Sequence, residues 1–353
     1  MAVVLICALD PDERLELLVE ALAPRHVVVV DDGSGPDSAA VLARVRRRGA
    51  TVLVHERNRG KGAALRTGIA HVRAAHPGAD IVTADCDGQH RPQDVAAVEA
   101  AIVPGAIALG ERRFTGAVPV RSRVGNTVAR SLFALASGVR VGDAQTGLRG
   151  LPSDALPWIA AVPGDRFDHE QRVLLEASRR RVPLRGVPIA TIYLAGNASS
   201  HFRPLIDSAR VVAPLLAPIG RFLALGAVCF ALDALLVVAL SAVLGVAGIA
   251  AVLARAASGA VHFAAGRRWV FVAAGCVRAQ ARRYALLAAG TIAVGATALQ
   301  LAVAAGAALL PAKVGIDLAL AAATYLAQRF GVFAPVQDPT PTTEPHPRRL
   351  EHQ

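Results

Sequence analysis

The sequence predicts an α/β domain with a mostly parallel sheet, followed by an all-α membrane domain of four transmembrane helices. Three observations carry this. Up to about residue 200, short β-branched runs alternate with helical patterns, the order that winds a parallel sheet between helical layers. After Arg221 the chain turns into four long apolar stretches, each near the roughly 20 residues that span a bilayer. The whole chain of 353 residues is 54% hydrophobic but only 4% aromatic, too apolar for one soluble globule.

In chain order, Ala2–Leu9, His26–Val30, Thr51–Val54, Asp80–Ala84 and Ala106–Leu109 read as strands. Helices are expected over Asp12–Ala23, Pro36–Arg47, Lys61–Ala75, Pro92–Ala101, Ser122–Ser137 and Asp168–Arg181. Ligands of such sheets bind beyond the carboxyl ends of the strands. Asp31, Asp32, Asp85 and Asp87 all fall there. The spans are placed at about 222–244, 247–266, 285–310 and 314–333. The organisation expected is therefore a cytoplasmic domain over 1–210, an interfacial linker over 211–221, the membrane domain over 222–335 and a disordered tail over 336–353.

Charge orients these parts. The net charge is +11, and lysine occurs only at Lys61 and Lys313. Arg267, Arg268, Arg278, Arg282 and Arg283 lie between spans two and three, and Arg329, Arg348 and Arg349 follow span four. The positive-inside rule then puts both termini and the α/β domain in the cytoplasm, at the inner face of the plasma membrane. Asp233 and Arg255 sit at membrane depth, where each is costly alone, so a pair bridging the first two spans is expected. A basic excess suits anionic membrane or phosphorylated substrates. Nucleic acid is excluded, since no basic reading helix or aromatic interleaving is present. The four scattered cysteines fit reduced thiols and give no zinc site, and the N-terminus shows no signal-peptide pattern.

Three strand-end motifs bear on chemistry. "VVVVDDGSGPDS" (Val27–Ser38) has one Gly-x-Gly, but Ser38 breaks the dinucleotide fingerprint. "RNRGKGAALRTG" (Arg57–Gly68) lacks phosphate-loop spacing, which leaves a cradle of backbone N–H groups at a helix start as its phosphate role. In "DCDGQH", Asp85 and Asp87 serve one site if the chain turns at Gly88. Hard oxygen ligands without a Cys/His set suit Mg²⁺ or Mn²⁺; the competing reading is a solvated turn of two aspartates. Cys86 between them is a small filler.

The series "VVDDGSG", "NRGKGAALRTG", "DCDGQHRPQD", "LGERRF", "DAQTGLRG" and "SSHFRPLIDSAR" resembles family 2 glycosyltransferases of the dolichol-phosphate mannosyltransferase type, over about residues 2–210. Residues 221–333, with "GRRWVF", resemble the GtrA-like four-helix membrane family. The resemblance implies a Rossmann-like, GT-A type nucleotide-sugar-binding domain. It implies inverting, metal-dependent transfer of a sugar from a nucleotide-sugar donor to a polyprenyl phosphate lipid, for cell-envelope glycan or protein glycosylation. Ala8, Leu9, Asp10, Asp31, Asp32, Lys61 and Asp85 would lie on the nucleotide side, and Asp85, Asp87 and Gln89 would hold the metal. Arg112, Arg121, Arg123 and Arg203 would face the acceptor phosphate, while Gln145, Thr146 and Arg149 would line the sugar and acceptor side. Asp87, Arg112, Gln145 and Arg149 form the implied catalytic set. Asp168 and Glu170 read either as helix-start charges or as acids near the sugar, and His90 and His201 as structural or binding groups. The chain departs from the family at Cys7-Ala8-Leu9-Asp10, where a Pro-Ala-Tyr/Leu-Asn stretch is usual. The second functional reading is a translocator of lipid-linked sugar whose cytoplasmic domain only binds cargo. A homo-oligomer is left open.

Overall fold

The computed structural model describes residues 1–112, 120–191 and 204–334. By internal packing the chain divides into two compact units, Met1–His262 and Phe263–Gln353.

The first unit is built on a seven-stranded sheet of order β3-β2-β1-β4-β6-β5-β7. Its strands are β1 Val3–Ala8, β2 Val27–Asp31, β3 Thr51–Val54, β4 Ile81–Asp85, β5 Ile107–Arg112, β6 Arg149–Leu151 and β7 Leu184–Ile189. All neighbours run parallel except β6, which is antiparallel to both β4 and β5. The sheet is therefore mostly parallel, and the expectation holds with one inserted reversal. β1 and β2 are apolar on both faces because helices cover both sides. Val3, Leu5, Val28 and Val30 join one core, while Val4, Ile6, Val27 and Val29 join the other.

Register decides where the chemistry lies. Ala8 pairs with Asp31 and Cys7 with Asp85, so three strands end level and carry their acids to one edge. Arg149, paired with Thr83, starts β6 near that edge.

The helices of this unit are α1 Glu13–Ala21, α2 Ala39–Arg47, α3 Lys61–Ala75, α4 Pro92–Ala100, α5 Val120–Ser137, α6 Leu156–Ala161, α7 Asp168–Arg180, α8 Pro204–Leu244 and α9 Ala247–Ala265. Asp12 caps α1 by accepting from the Arg14 amide at 3.0 Å, and Glu13 and Glu16 suit the positive end of its dipole. In α3 the small residues Gly62, Ala63, Ala64 and Gly68 are all buried, which lets the helix lie close on the sheet. Leu5 fills the space that a Cβ at Gly68 would take. α7 buries Val173, Leu174, Leu175 and Ala177 and begins with Asp168 and Glu170 in its first turn.

α8 is one helix of 41 residues. The stretch 211–221, expected as an interfacial linker, is its interior, and Leu215 is fully buried in the α/β core. Asp233 of α8 pairs with Arg255 of α9 at 3.0 Å and accepts from the Ser258 hydroxyl at 3.0 Å.

The second unit contains a hairpin of α10 Val277–Ala304 and α11 Leu309–Ala327, turned where Gly306 takes a φ of +86°. π-helical turns occupy Gly266–Val270 and Gln328–Val332. Phe271 and Phe333 follow those turns and stack at 5.0 Å. The chain carries four helices long and apolar enough to cross a membrane, spanning Asp207–Leu244, Ala247–Val270, Val277–Ala304 and Leu309–Val332.

Candidate active site

At the edge where β1, β2 and β4 end, the acidic side chains divide into two kinds. Asp10, Asp31 and Asp32 hold the loops together. Asp10 takes a φ of +46°; its amide donates to Ser34 Oγ at 2.8 Å, and its carboxylate accepts from the Gly35 amide at 2.8 Å. The carboxylate that departs from the family pattern thus ties the end of β1 to the loop after β2. Asp31 accepts from both the amide and the hydroxyl of Ser34. Asp32, almost fully buried, accepts from the amides of Arg59 at 3.0 Å and Gly60 at 2.7 Å, and lies 2.7 Å from His55 Nδ1. With Thr67 Oγ1 2.9 Å from Nε2, the consistent tautomer has Nδ1–H donating to Asp32 and Nε2 accepting from the hydroxyl.

The same contacts bear on one expectation. Around the helix start at Gly60–Lys61, three of the backbone amides are already used within the protein. Arg59 and Gly60 spend their amides on Asp32, and the Ala63 amide donates to the carbonyl of Asp165 at 3.0 Å. Gly60 and Gly62 lack a Cβ because the 164–166 loop lies against them: an added Cβ at Gly62 would stand 2.6 Å from Gly164 O.

The second kind of acid surrounds Lys61. Its ammonium lies 2.7 Å from Asp85 and 3.0 Å from Glu170. Burial opposes its charge, yet the two carboxylates outweigh burial and hold the ammonium above its usual range. Burial likewise opposes ionisation of Asp85, but Lys61 and His90, whose Nε2 is 3.3 Å away, pull its carboxyl well below the usual carboxylate range. Gly147 faces this carboxylate so closely that a Cβ would overlap it. Glu170 is thereby placed as an ion-pair partner at the centre, which its position at a helix start did not reveal.

Asp87 behaves differently. Burial, then the charge of Asp85, push its carboxyl upward. Its carbonyl accepts from Arg14 at 3.1 Å, its side chain accepts from the Gln89 amide at 3.0 Å, and Gly88 makes the turn with a φ of +77°. Among the described residues no group of three His, Cys, Asp or Glu side chains stands ready to enclose a metal. The donors nevertheless fit a hard dication of the Mg²⁺ or Mn²⁺ kind held largely by substrate oxygens. Asp87 carries a carboxylate short of positive charge, and Gln89 adds an amide oxygen. Burial pushes the Cys86 thiol up to about 12, which keeps it protonated beside the acids.

The opposite wall comes from β5 and the loop before β6. Asp85, Gln89 and His90 line a cleft with Arg112, Gln145 and Thr146. Arg112 is gripped at its Nε (2.6 Å) and Nη2 (3.1 Å) by Asp143, which is wholly buried and also accepts from the Gln145 amide at 2.9 Å. The neighbouring Glu111 accepts from the Gly142 amide at 2.5 Å, so two adjacent pairs lock this loop to β5. Asp143 is thus a site residue that the sequence reading did not single out. Arg149 is buried below the wall. It donates to the carbonyls of Thr146 at 3.0 Å and Glu170 at 2.9 Å, and burial pushes its pKa down. His169, with both ring nitrogens unpartnered, is pushed down by burial to about 4 and stays neutral. Arg123 is exposed on α5, the side chain of Arg121 lies outside the described residues, and so do Arg203 and His201.

With this geometry in place, comparison with known proteins is informative. The model for glycosyl transferase family 2 matches residues 4–141. An uncharacterised protein of Methanocaldococcus jannaschii is 35% identical over 176 residues, 48% of this chain and 71% of that one. The chain belongs to glycosyl transferase family 2. A second relative, the UDP-N-acetylglucosamine--dolichyl-phosphate N-acetylglucosaminyltransferase of Methanococcus voltae, is 29% identical over 191 residues, 48% of this chain and 75% of that enzyme. At the level of fold, the mannosyltransferase PcManGT of Pyrobaculum calidifontis, solved with GDP-Man and Mn²⁺, covers 92% of this chain and 86% of its own, at 16% identity and a TM-score of 0.40. This family 2 glycosyltransferase has a GT-A-like sheet domain followed by a helical region with four apolar helices.

Proposed function

We propose that the protein transfers a sugar from a nucleotide-sugar to the phosphate of a polyprenyl lipid at the inner face of the plasma membrane. The observation that carries this reading is the two-walled cleft, acidic on the β4 side and cationic at Arg112 on the β5 side. A relative that uses dolichyl phosphate and four apolar helices on the same chain support the lipid acceptor. We further assign the helical region to a GtrA-like membrane domain, both termini to the cytoplasm, and Ala8, Leu9, Asp10 and Lys61 to the nucleotide side.

The acceptor needs little base catalysis. A phosphate monoester has its second ionisation near pH 6, so it arrives as an anionic nucleophile. Arg112 offers a planar donor fork to its oxygens, already oriented by Asp143. Gln145 and Thr146 complete that wall and position the sugar, while Lys61, from the nucleotide side, keeps the Asp85 carboxylate of the cleft ionised. Asp87 and Gln89 would hold a divalent metal, which supplies charge neutralisation for the leaving nucleoside diphosphate. Transfer by attack from the acceptor side inverts the anomeric centre.

The test is transfer of radiolabelled sugar from a panel of nucleotide-sugars into butanol-extractable lipid. Label should enter the lipid with the unaltered chain and drop at least about a hundredfold with Asp87→Ala. Failure with every donor, metal present, would turn the assignment toward the cargo-binding translocator.

A further inference from the structure

The second unit gathers its arginines at one end. Its two π turns share a pattern, Gly266-Arg267-Arg268-Trp269-Val270-Phe271 and Gln328-Arg329-Phe330-Gly331-Val332-Phe333, with arginine second and Val-Phe last. Phe271 stacks on Phe333, and Arg283 from the start of α10 donates to the carbonyl of Gly331 at 3.2 Å, so the turns and the first turns of α10 meet.

The six arginines there do two jobs. Arg267 is used internally, through Gln280 at 2.8 Å and the carbonyl of Gly275 at 3.2 Å. Arg329 is buried with its guanidinium 5.9 Å from the Phe271 ring. Arg268, Arg278, Arg282 and Arg283 are instead exposed. Among the described residues of this unit nothing acidic offsets them: the sequence has no carboxylate from Phe263 to Ala304, and Asp317 pairs with Lys313 in the first turns of α11, at the other end of the hairpin. Arg278 and Arg282 lie four apart on one helix face, a spacing at which like charges repel. In the π turn that precedes α10, Trp269 is 49% exposed, a residue that favours the headgroup level of a bilayer.

We propose that this end of the hairpin binds anionic glycerophospholipid headgroups, with phosphodiester oxygens between Arg278 and Arg282 and the Trp269 ring at the acyl boundary. Exposed guanidinium groups distributed over a π turn and the first turns of a helix suit several monoanionic diesters side by side. A single dianionic monoester, the acceptor of the transfer reaction, is better served by a converging, desolvated set.

Trp269 gives the test its probe, since Trp158 is the only other tryptophan. The full chain carrying Trp158→Phe is placed in phosphatidylcholine vesicles containing either brominated phosphatidylglycerol or brominated phosphatidylcholine. Emission should be quenched preferentially by the anionic lipid. The preference should fall roughly fivefold for each charge removed in Arg278→Gln and Arg282→Gln, and weaken with added salt. Arg278→Lys with Arg282→Lys should keep it, which separates loss of charge from loss of fold. Equal quenching by the two lipids, an undiminished preference in the glutamine variants, or displacement of phosphatidylglycerol by stoichiometric polyprenyl phosphate would overturn the proposal.

Discussion

Asp32 and Asp85 stand on the same sheet edge, yet one ties loops together and the other lines the cleft. Asp32 satisfies two loop amides and a buried imidazole, so Asp32→Ala leaves three polar groups without their acceptor. We expect it to lower stability by about 3 kcal/mol, read by denaturant unfolding. A loss below about 1 kcal/mol would show that the loop closes without it. Asp85 owes its ionised state to Lys61. A carboxyl whose pKa falls on folding gives stability that is complete above its unfolded value near 3.8 and is lost as the pH drops through and below that value. Lys61→Met removes the ammonium and leaves burial as the stronger influence on Asp85, which then titrates upward. The variant should therefore be less stable by about 3 kcal/mol at pH 7, with the gap narrowing near pH 4 as Asp85 takes up a proton. Equal losses at both pH values would place the effect outside this ion pair. The acids themselves were legible in the sequence because they follow apolar runs. Their partners were not, since Lys61, Asp85 and Glu170 meet only through space, and Glu170 reads in sequence either as a helix-start charge or as an acid near the sugar, neither of which names Lys61 as its partner.

Elements divide along the same line. β1 to β4 are short apolar runs rich in β-branched residues and β5 opens on the apolar Ile107-Ala108-Leu109, and that composition announces them. β6 is only Arg-Gly-Leu, and β7 carries Arg185, Gly186 and Pro188, a composition tolerated because β7 is an edge strand. No period of two marks either one. The cost of close packing should be visible in the glycines of two helices. A Cβ added at Gly62 of α3 would stand 2.6 Å from both Gly164 O and His169 Cβ, so Gly62→Ala must move backbone and should cost about 2 kcal/mol. A Cβ added at Gly125 of α5 would meet nothing within 4 Å among the described residues, and Gly125→Ala should be neutral or gain up to about 1 kcal/mol in helix propensity. Comparing the two melting temperatures checks the pair at once. Between α8 and α9, the Asp233–Arg255 pair was foreseen because charge at membrane depth demands a partner; its hydroxyl donor, Ser258, was not. Asp233→Ala should destabilise the chain in detergent by about 1 kcal/mol in an SDS titration, with Asp233→Asn intermediate through Ser258. Unchanged titrations would mean that the pair contributes nothing to holding α8 and α9 together.

At the scale of the whole molecule, hydropathy located the four apolar helices but not the place where the first of them begins. Residues 211–221 are less apolar than the span they lead into, so sequence assigns them to a linker, whereas Val211 is buried and Leu215 is part of the α/β core. A chain ending after residue 210 should accordingly be less stable than one ending after 221, by about 3 kcal/mol for the two lost side chains. Thermal unfolding of the two truncations decides it, and equal midpoints would remove α8 from the core. The continuity of α8 also has a mechanical side. Its 41 residues make a rod about 60 Å long that begins inside the folded enzyme and ends in its apolar stretch. Pro214 and Pro218, four residues apart on one side, each withhold a ladder hydrogen bond. With two rungs missing from its ladder, that point is the notch of a leaf spring, the place where the rod resists bending least.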